Sequence, residues 1–211
     1  RWTGWTPTQL NGTGLAGKTL GIVGMGRIGR AVARRARAFG MEIHYANRSR
    51  LDAAREDGAV HHADPEELLR VAQFLLLACP ATQETTGFLD ARRLRLLPRG
   101  AIVANVGRGA VVVDADLADA LASGQVAAAG LDVFNGEPAV YRRYFELPNV
   151  FMLPHIGSST IEARVEMGDV SSLDEPQNWA ALGCHPDRPV AHLSLGNPHS
   201  VVGVDEVGVV D

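Results

Sequence analysis

Along the first 154 residues, short apolar runs alternate with amphipathic segments, the pattern of a parallel sheet whose strands are joined by crossover helices. The run Thr19-Leu20-Gly21-Ile22-Val23 predicts a strand, and residues 27–39 predict a helix with Ile28, Val32 and Ala36 on one face. Residues 42–46 predict a second strand and residues 65–71 a turn or two of helix. The unbroken run Phe74-Leu75-Leu76-Leu77-Ala78 predicts a strand covered on both faces. A short helix near 90–97, a strand over 101–105 and a helix over 114–123, with Asp114 as its N-cap, follow. Strands over 127–133 and 150–153 bring the number to six. The expected fold class is α/β, a doubly wound parallel sheet of the Rossmann type. Beyond Val170 the prolines at 176, 186, 189 and 198 interrupt both periodicities, and no regular domain is expected there.

Composition narrows the partners. Twenty basic and 24 acidic residues leave a net charge of -4, so no broad cationic surface points to nucleic acid or anionic lipid. No apolar run approaches the length of a membrane span. Cys79 and Cys184 are the only cysteines and lie far apart, in neither a disulfide framework nor a zinc spacing, so a reducing cytoplasm is the expected location. His61, His62, His185, His192 and His199 have no carboxylate or cysteine partners at metal-like spacing, and no metal is expected.

Residues 12–29, GTGLAGKTLGIVGMGRIG, hold two phosphate-binding patterns. GTGLAGKT fits GxxxxGK[ST], but a working P-loop follows a strand and opens a helix, whereas here a strand follows Lys18. Gly24-Met25-Gly26-Arg27-Ile28-Gly29 has the opposite and required context: a strand ending at Val23, a tight turn, then a helix. Its three glycines would serve the turn, the approach to a pyrophosphate and the helix–strand contact. Arg27 and Ile28 stand at the helix start, so they join the candidate cofactor contacts. The second strand ends in Ala46-Asn47-Arg48-Ser49 instead of the Asp or Glu that holds the ribose hydroxyls in NAD sites. Arg48 can pair with a 2'-phosphate, and Asn47 and Ser49 can add hydrogen bonds, so NADP is favoured over NAD.

Three further segments lie at strand ends, on the edge where open α/β folds bind ligands: NVGRGAVVVD at 105–114, GLDVFNGEP at 130–138 and LPHIGSST at 153–160. With GIVGMGRIG, and in this order, they resemble the D-isomer-specific 2-hydroxyacid dehydrogenase family over residues 1 to about 168. The resemblance implies hydride transfer between a nicotinamide cofactor and a short 2-oxo or 2-hydroxy acid such as glyoxylate or hydroxypyruvate. It maps the family's catalytic Arg, Glu and His onto Arg108, Glu137 and His155. Arg108 would hold the substrate carboxylate, His155 would donate the proton to the carbonyl oxygen, and Glu137 would orient His155 and favour its imidazolium form. Asp132 would lie on the carboxamide side of the nicotinamide. Cys79, Pro80, Thr85, Val106, Gly107 and Gly157 would line the remainder of the cofactor site.

The resemblance also implies an organisation. Residues 1–12, with Trp2 and Trp5, resemble the family's inter-domain and dimerisation segment, so a homodimer is expected of the intact protein. Residues 13–154 form the nucleotide domain and 155–169 return towards a substrate domain that is largely missing. Similarity stops near Gly168, and the abrupt change before residues 170–211 resembles a shifted reading frame. A non-catalytic NAD(P)-binding module, either a regulator or a truncated product, therefore stays open beside the enzyme.

Overall fold

The computed structural model describes residues 12–160 together with Gly4 and Thr6. Trp2, Trp5, Cys184 and the tail at 170–211 lie outside the described residues. The chain divides into two units, Arg1–His155 and Ile156–Asp211. Of the second unit only residues 156–160 are described. They hold a turn in which the Ser159 N–H donates to the Ile156 carbonyl at 2.9 Å.

The first unit is a seven-stranded, wholly parallel sheet. Its strands are β1 (Thr19–Val23), β2 (Glu42–Ala46), β3 (Val60–His61), β4 (Phe74–Leu77), β5 (Ala101–Asn105), β6 (Val126–Leu131) and β7 (Val150–Met152). They run in the order β3-β2-β1-β4-β5-β6-β7. The order reverses between β1 and β4, which opens a crevice at the carboxyl ends of these strands. Helices α1 (Arg27–Ala38), α2 (Ala53–Glu56), α3 (Pro65–Val71), α4 (Ala91–Leu94) and α5 (Asp114–Ala122) make the connections. None is long and apolar enough to cross a membrane among the described residues.

The apolar run of β4 explains the layering. Leu75 and Leu77 enter one buried cluster with Leu68, Val103, Leu117 and Tyr144, while Leu76 enters the other with Ile22, Ala33, Ile43 and Tyr45. A strand covered on both faces has no polar alternation to show. Helix α1 reaches the sheet through small residues, Gly29, Ala33 and Ala36. Ile28, expected on that inward face, is instead 57% exposed. One residue of the first turn cannot face the sheet when its neighbour Gly29 already does.

Three further expectations are corrected. The sheet has seven strands, not six, because β3 is only two residues long. Its neighbour α2 was also unexpected. It is tied down by Glu56, which accepts from the Tyr45 hydroxyl at 2.7 Å and from both Arg50 Nε at 2.9 Å and Nη2 at 3.0 Å. Asp114 is not the N-cap of α5; Val113 holds that place, with no capping side chain. The Asp114 carboxylate accepts from the Tyr144 hydroxyl at 2.9 Å instead.

Backbone proximity dominates the carboxyl edge. A Cβ on Gly24 would stand 2.6 Å from the Cys79 nitrogen, one on Gly107 would stand 2.5 Å from the Cys79 carbonyl oxygen, and one on Gly109 would stand 1.9 Å from the Phe134 carbonyl carbon. The loops after β1, β4, β5 and β6 are thereby pressed against one another. Gly29 closes α1 on the same turn, its hypothetical Cβ being 2.7 Å from the Gly24 oxygen. Gly26 differs, since a Cβ there meets nothing within 4 Å.

This contrast gives a paired prediction. Gly109→Ala should cost about 3 kcal/mol or more in urea unfolding, because only backbone movement relieves the clash. Gly26→Ala should stay within about 0.5 kcal/mol of the parent. Equal stabilities for the two variants would contradict the packing described.

Candidate active site

Apart from Gly157, which belongs to the second unit, the residues proposed from sequence lie on successive loops of one edge. Helix α1 begins at Arg27 with no side-chain cap and no acidic residue in its first turn. Its first N–H groups thus lack the partner that a capping side chain usually provides. Gly26, Arg27 and Ile28 are exposed beside these amides. Open space at Gly26 and an uncapped helix start fit a phosphate group chemically and sterically.

The end of β2 assigns different work to its polar residues. Asn47 Oδ1 accepts from the Met25 N–H at 2.6 Å, so this side chain shapes the glycine turn and keeps only its amide nitrogen for a ligand. Arg50 is held by Glu56. Arg48 and Ser49 are exposed, and Arg48 has no hydrogen bond or ion pair among the described residues. Arg48 is therefore the guanidinium here that can answer an added negative charge.

After β4, Cys79 is buried, and that burial pushes its thiol above the usual range, so it stays protonated. Pro80 is exposed. Thr85, expected to touch the cofactor, spends its hydroxyl within the loop, donating to the Pro80 carbonyl at 2.6 Å and accepting from the Thr82 N–H at 2.8 Å.

The loop after β5 depends on Asn105, a residue not singled out for the site from sequence. It is 1% exposed. Its Oδ1 accepts from the Gly107 N–H at 3.1 Å, its Nδ2 donates to the Arg108 carbonyl at 3.0 Å, and its own carbonyl accepts from the Asp132 N–H at 3.1 Å. One buried amide thus fixes the Arg108 loop and links it to the start of the β6 loop. The available signal was an Asn closing an apolar strand immediately before Gly-Arg-Gly. Val106 and Arg108 face solvent on either side of Gly107. Nη1 of Arg108 donates to the Gly107 carbonyl at 2.7 Å, and the remaining guanidinium donors have no partner among the described residues.

Glu137 and His155, 18 positions apart, meet as the resemblance implied. His155 Nδ1 lies 2.8 Å from Glu137 Oε2, and Glu137 Oε1 accepts from the Phe134 N–H at 2.8 Å. The carboxylate is anchored on one side and aims the imidazole with the other. His155 sits in the left-handed region at φ 55°, a conformation that an L-residue holds only where its surroundings require it. Asp132 is buried at the start of the same loop. Gly157 belongs to the second unit. No group of three or more potential metal ligands occurs among the described residues.

Partial burial pushes the Glu137 carboxyl upward, but the hydrogen bonds from His155 and the Phe134 amide, with the charges of His155 and Arg108, outweigh it. The net position is below the usual carboxylate range. A depressed carboxylate contributes stability above its unfolded pKa and loses it as pH falls through its folded value. His155→Ala should therefore move the Glu137 titration upward, as read by carbon-detected NMR of the side-chain carboxyl. The stability gap between parent and variant should also close in acid. An unmoved Glu137 titration would contradict the pairing.

Comparison with known proteins identifies the family. Residues 1–157 match the family described as D-isomer specific 2-hydroxyacid dehydrogenase, NAD binding domain. The glyoxylate reductase of Thermococcus litoralis is 47% identical over 167 residues, covering 79% of this chain and 50% of that protein. The glycerate dehydrogenase of Hyphomicrobium methylovorum is 44% identical over 168 residues, covering 79% and 52%. Among solved structures, an NADPH-dependent glyoxylate/hydroxypyruvate reductase from Sinorhizobium meliloti, in complex with NADP and malonate, superposes with a TM-score of 0.67 at 35% identity, covering 76% of this chain and 48% of that one. The chain thus spans about half the length of the relatives it matches. A parallel sheet with a glycine turn at its switch point and a family match across residues 1–157 place this chain in the D-isomer specific 2-hydroxyacid dehydrogenase family, with those residues as its NAD-binding domain.

Proposed function

We propose that this chain is the nucleotide-binding part of an NADP-dependent reductase of a short 2-oxo acid, glyoxylate or hydroxypyruvate in type. The observation that carries the reading is the Glu137–His155 pair beside Arg108, at the edge where the uncapped start of α1 also lies. The named activities of the relatives, on glyoxylate, hydroxypyruvate and glycerate, support the substrate class.

The geometry supports the following roles. Gly26 and the first turn of α1 would hold the pyrophosphate, and Arg48 with Ser49 would hold the 2'-phosphate. Val106, Gly107, Cys79 and Pro80 would line the crevice, with Asp132 on the carboxamide side. When bound, the nicotinamide supplies the hydride. Arg108 would bind the substrate carboxylate through its free donors, in the bidentate manner of a guanidinium. Glu137 holds Nδ1, which leaves Nε2 of His155 as the atom that carries the proton to the carbonyl oxygen. In the oxidative direction the neutral ring would take that proton back. Asn105 acts through Arg108, by positioning its loop. We place the intact protein in the cytoplasm as a homodimer, on the strength of its cysteine content and of the resemblance of residues 1–12 to the family's dimerisation segment.

A second reading is a nucleotide-binding module without turnover, since the family model that matches is that of an NAD-binding domain. Side-by-side fluorescence titrations with NADPH and NADH test the cofactor assignment. The parent should prefer NADPH, and Arg48→Ala should weaken NADPH by about tenfold or more while leaving NADH nearly unchanged, the worth of one charge-assisted contact. Retained preference in the variant would overturn the role of Arg48. Binding without turnover on any short 2-oxo acid would select the module.

A further inference from the structure

The GxxxxGK[ST] pattern of residues 12–19 finds no use at the carboxyl edge, yet two of its residues come together at the opposite edge of the sheet. Thr13 and Lys18 help to line a cavity of about 180 Å³ where β1, β4 and β5 begin. Gln73 and Arg99 complete its polar wall, and Phe74, Pro98 and Ile102 supply its apolar one.

Every polar side chain of this wall has a donor to offer. Gln73 Oε1 already accepts from the Thr19 N–H at 3.2 Å, which leaves its amide nitrogen for other partners. Arg99 spends one Nη2 contact on the Ser123 carbonyl at 3.2 Å and keeps its other donors. Among the described residues neither Lys18 nor Arg99 forms an ion pair and no carboxylate lines the cavity. Two unpaired cations, an amide and a hydroxyl beside an apolar wall complement an anionic head on a short carbon body.

We propose that this cavity is a second ligand site, for a small organic oxyanion, remote from the nucleotide crevice. The phosphate or carboxylate group seats between Lys18 and Arg99, and its carbon body lies on Phe74, Pro98 and Ile102. A volume of this size equals roughly six water molecules, enough for an oxyanion and a few carbons. The competing account is that the two cations only balance carbonyl groups at helix ends, as Arg99 does for Ser123.

The test is a nitrogen–proton NMR titration of the chain with ethyl phosphate and, separately, with butyrate, which distinguishes the two head groups. The proposal expects saturable shifts at Lys18, Gly100 and Ala101 with at least one of them. In a Lys18→Met, Arg99→Gln double variant, affinity should fall about tenfold or more while NADPH binding is retained. Shifts confined to residues 24–29 would show that the anion goes to the start of α1 and would overturn the proposal. So would non-saturating shifts with both probes, or a double variant that binds as the parent does. The position of the shifts in the parent chain decides the matter even if the double variant does not fold.

Discussion

The carboxyl edge of this sheet depends on the near-contact of main chains. Cys79 at the end of β4 is pressed between Gly24 and Gly107, and Gly109 is pressed against Phe134. Cβ atoms at these glycines would fall within about 2.7 Å of backbone atoms, so four loops can share one wall only where side chains are absent. Everything chemical on this edge hangs on that wall. It brings the turn before α1 beside the Arg108 loop, and the Arg108 loop beside the segment that carries Glu137. The buried Asn105 then locks the last two together by bonding to Gly107, Arg108 and Asp132.

Much of this was legible in the sequence because the constraint has a signature. A glycine turn between a strand and a helix has few other uses, and the unbroken apolar run of β4 announced a strand covered on both faces. The parts that could not be read were those whose reasons lie far along the chain. Two-residue β3 and four-residue α2 are too short for any period, and α2 is held by Tyr45 and Arg50 meeting on Glu56. Asp114 has the position of a cap, but the hydroxyl of Tyr144, 30 residues on, takes its carboxylate.

The candidate site shows the same division. Glu137 and His155 could be paired only through the family resemblance, since no local rule links residues 18 apart; the structure puts them 2.8 Å apart. Asn47 was named for the cofactor as a polar residue at a strand end and Thr85 from the family resemblance, yet both are largely occupied in shaping their own loops. Arg48 and Arg50, alike in sequence, are separated by their partners, one held by Glu56 and one free to meet a ligand. Charge alone does not identify a binding residue; unspent charge in the right place does.

The glycine turn and the Arg108 loop meet on Cys79 as one wall, and a bound nucleotide should engage both. Hydrogen exchange of the chain with and without saturating NADPH tests it most directly. Exchange should slow in residues 24–29 and in residues 106–108 together, with little change at residues 100–102 on the opposite edge. Slowing at only one of the two loops, or at neither, would contradict it.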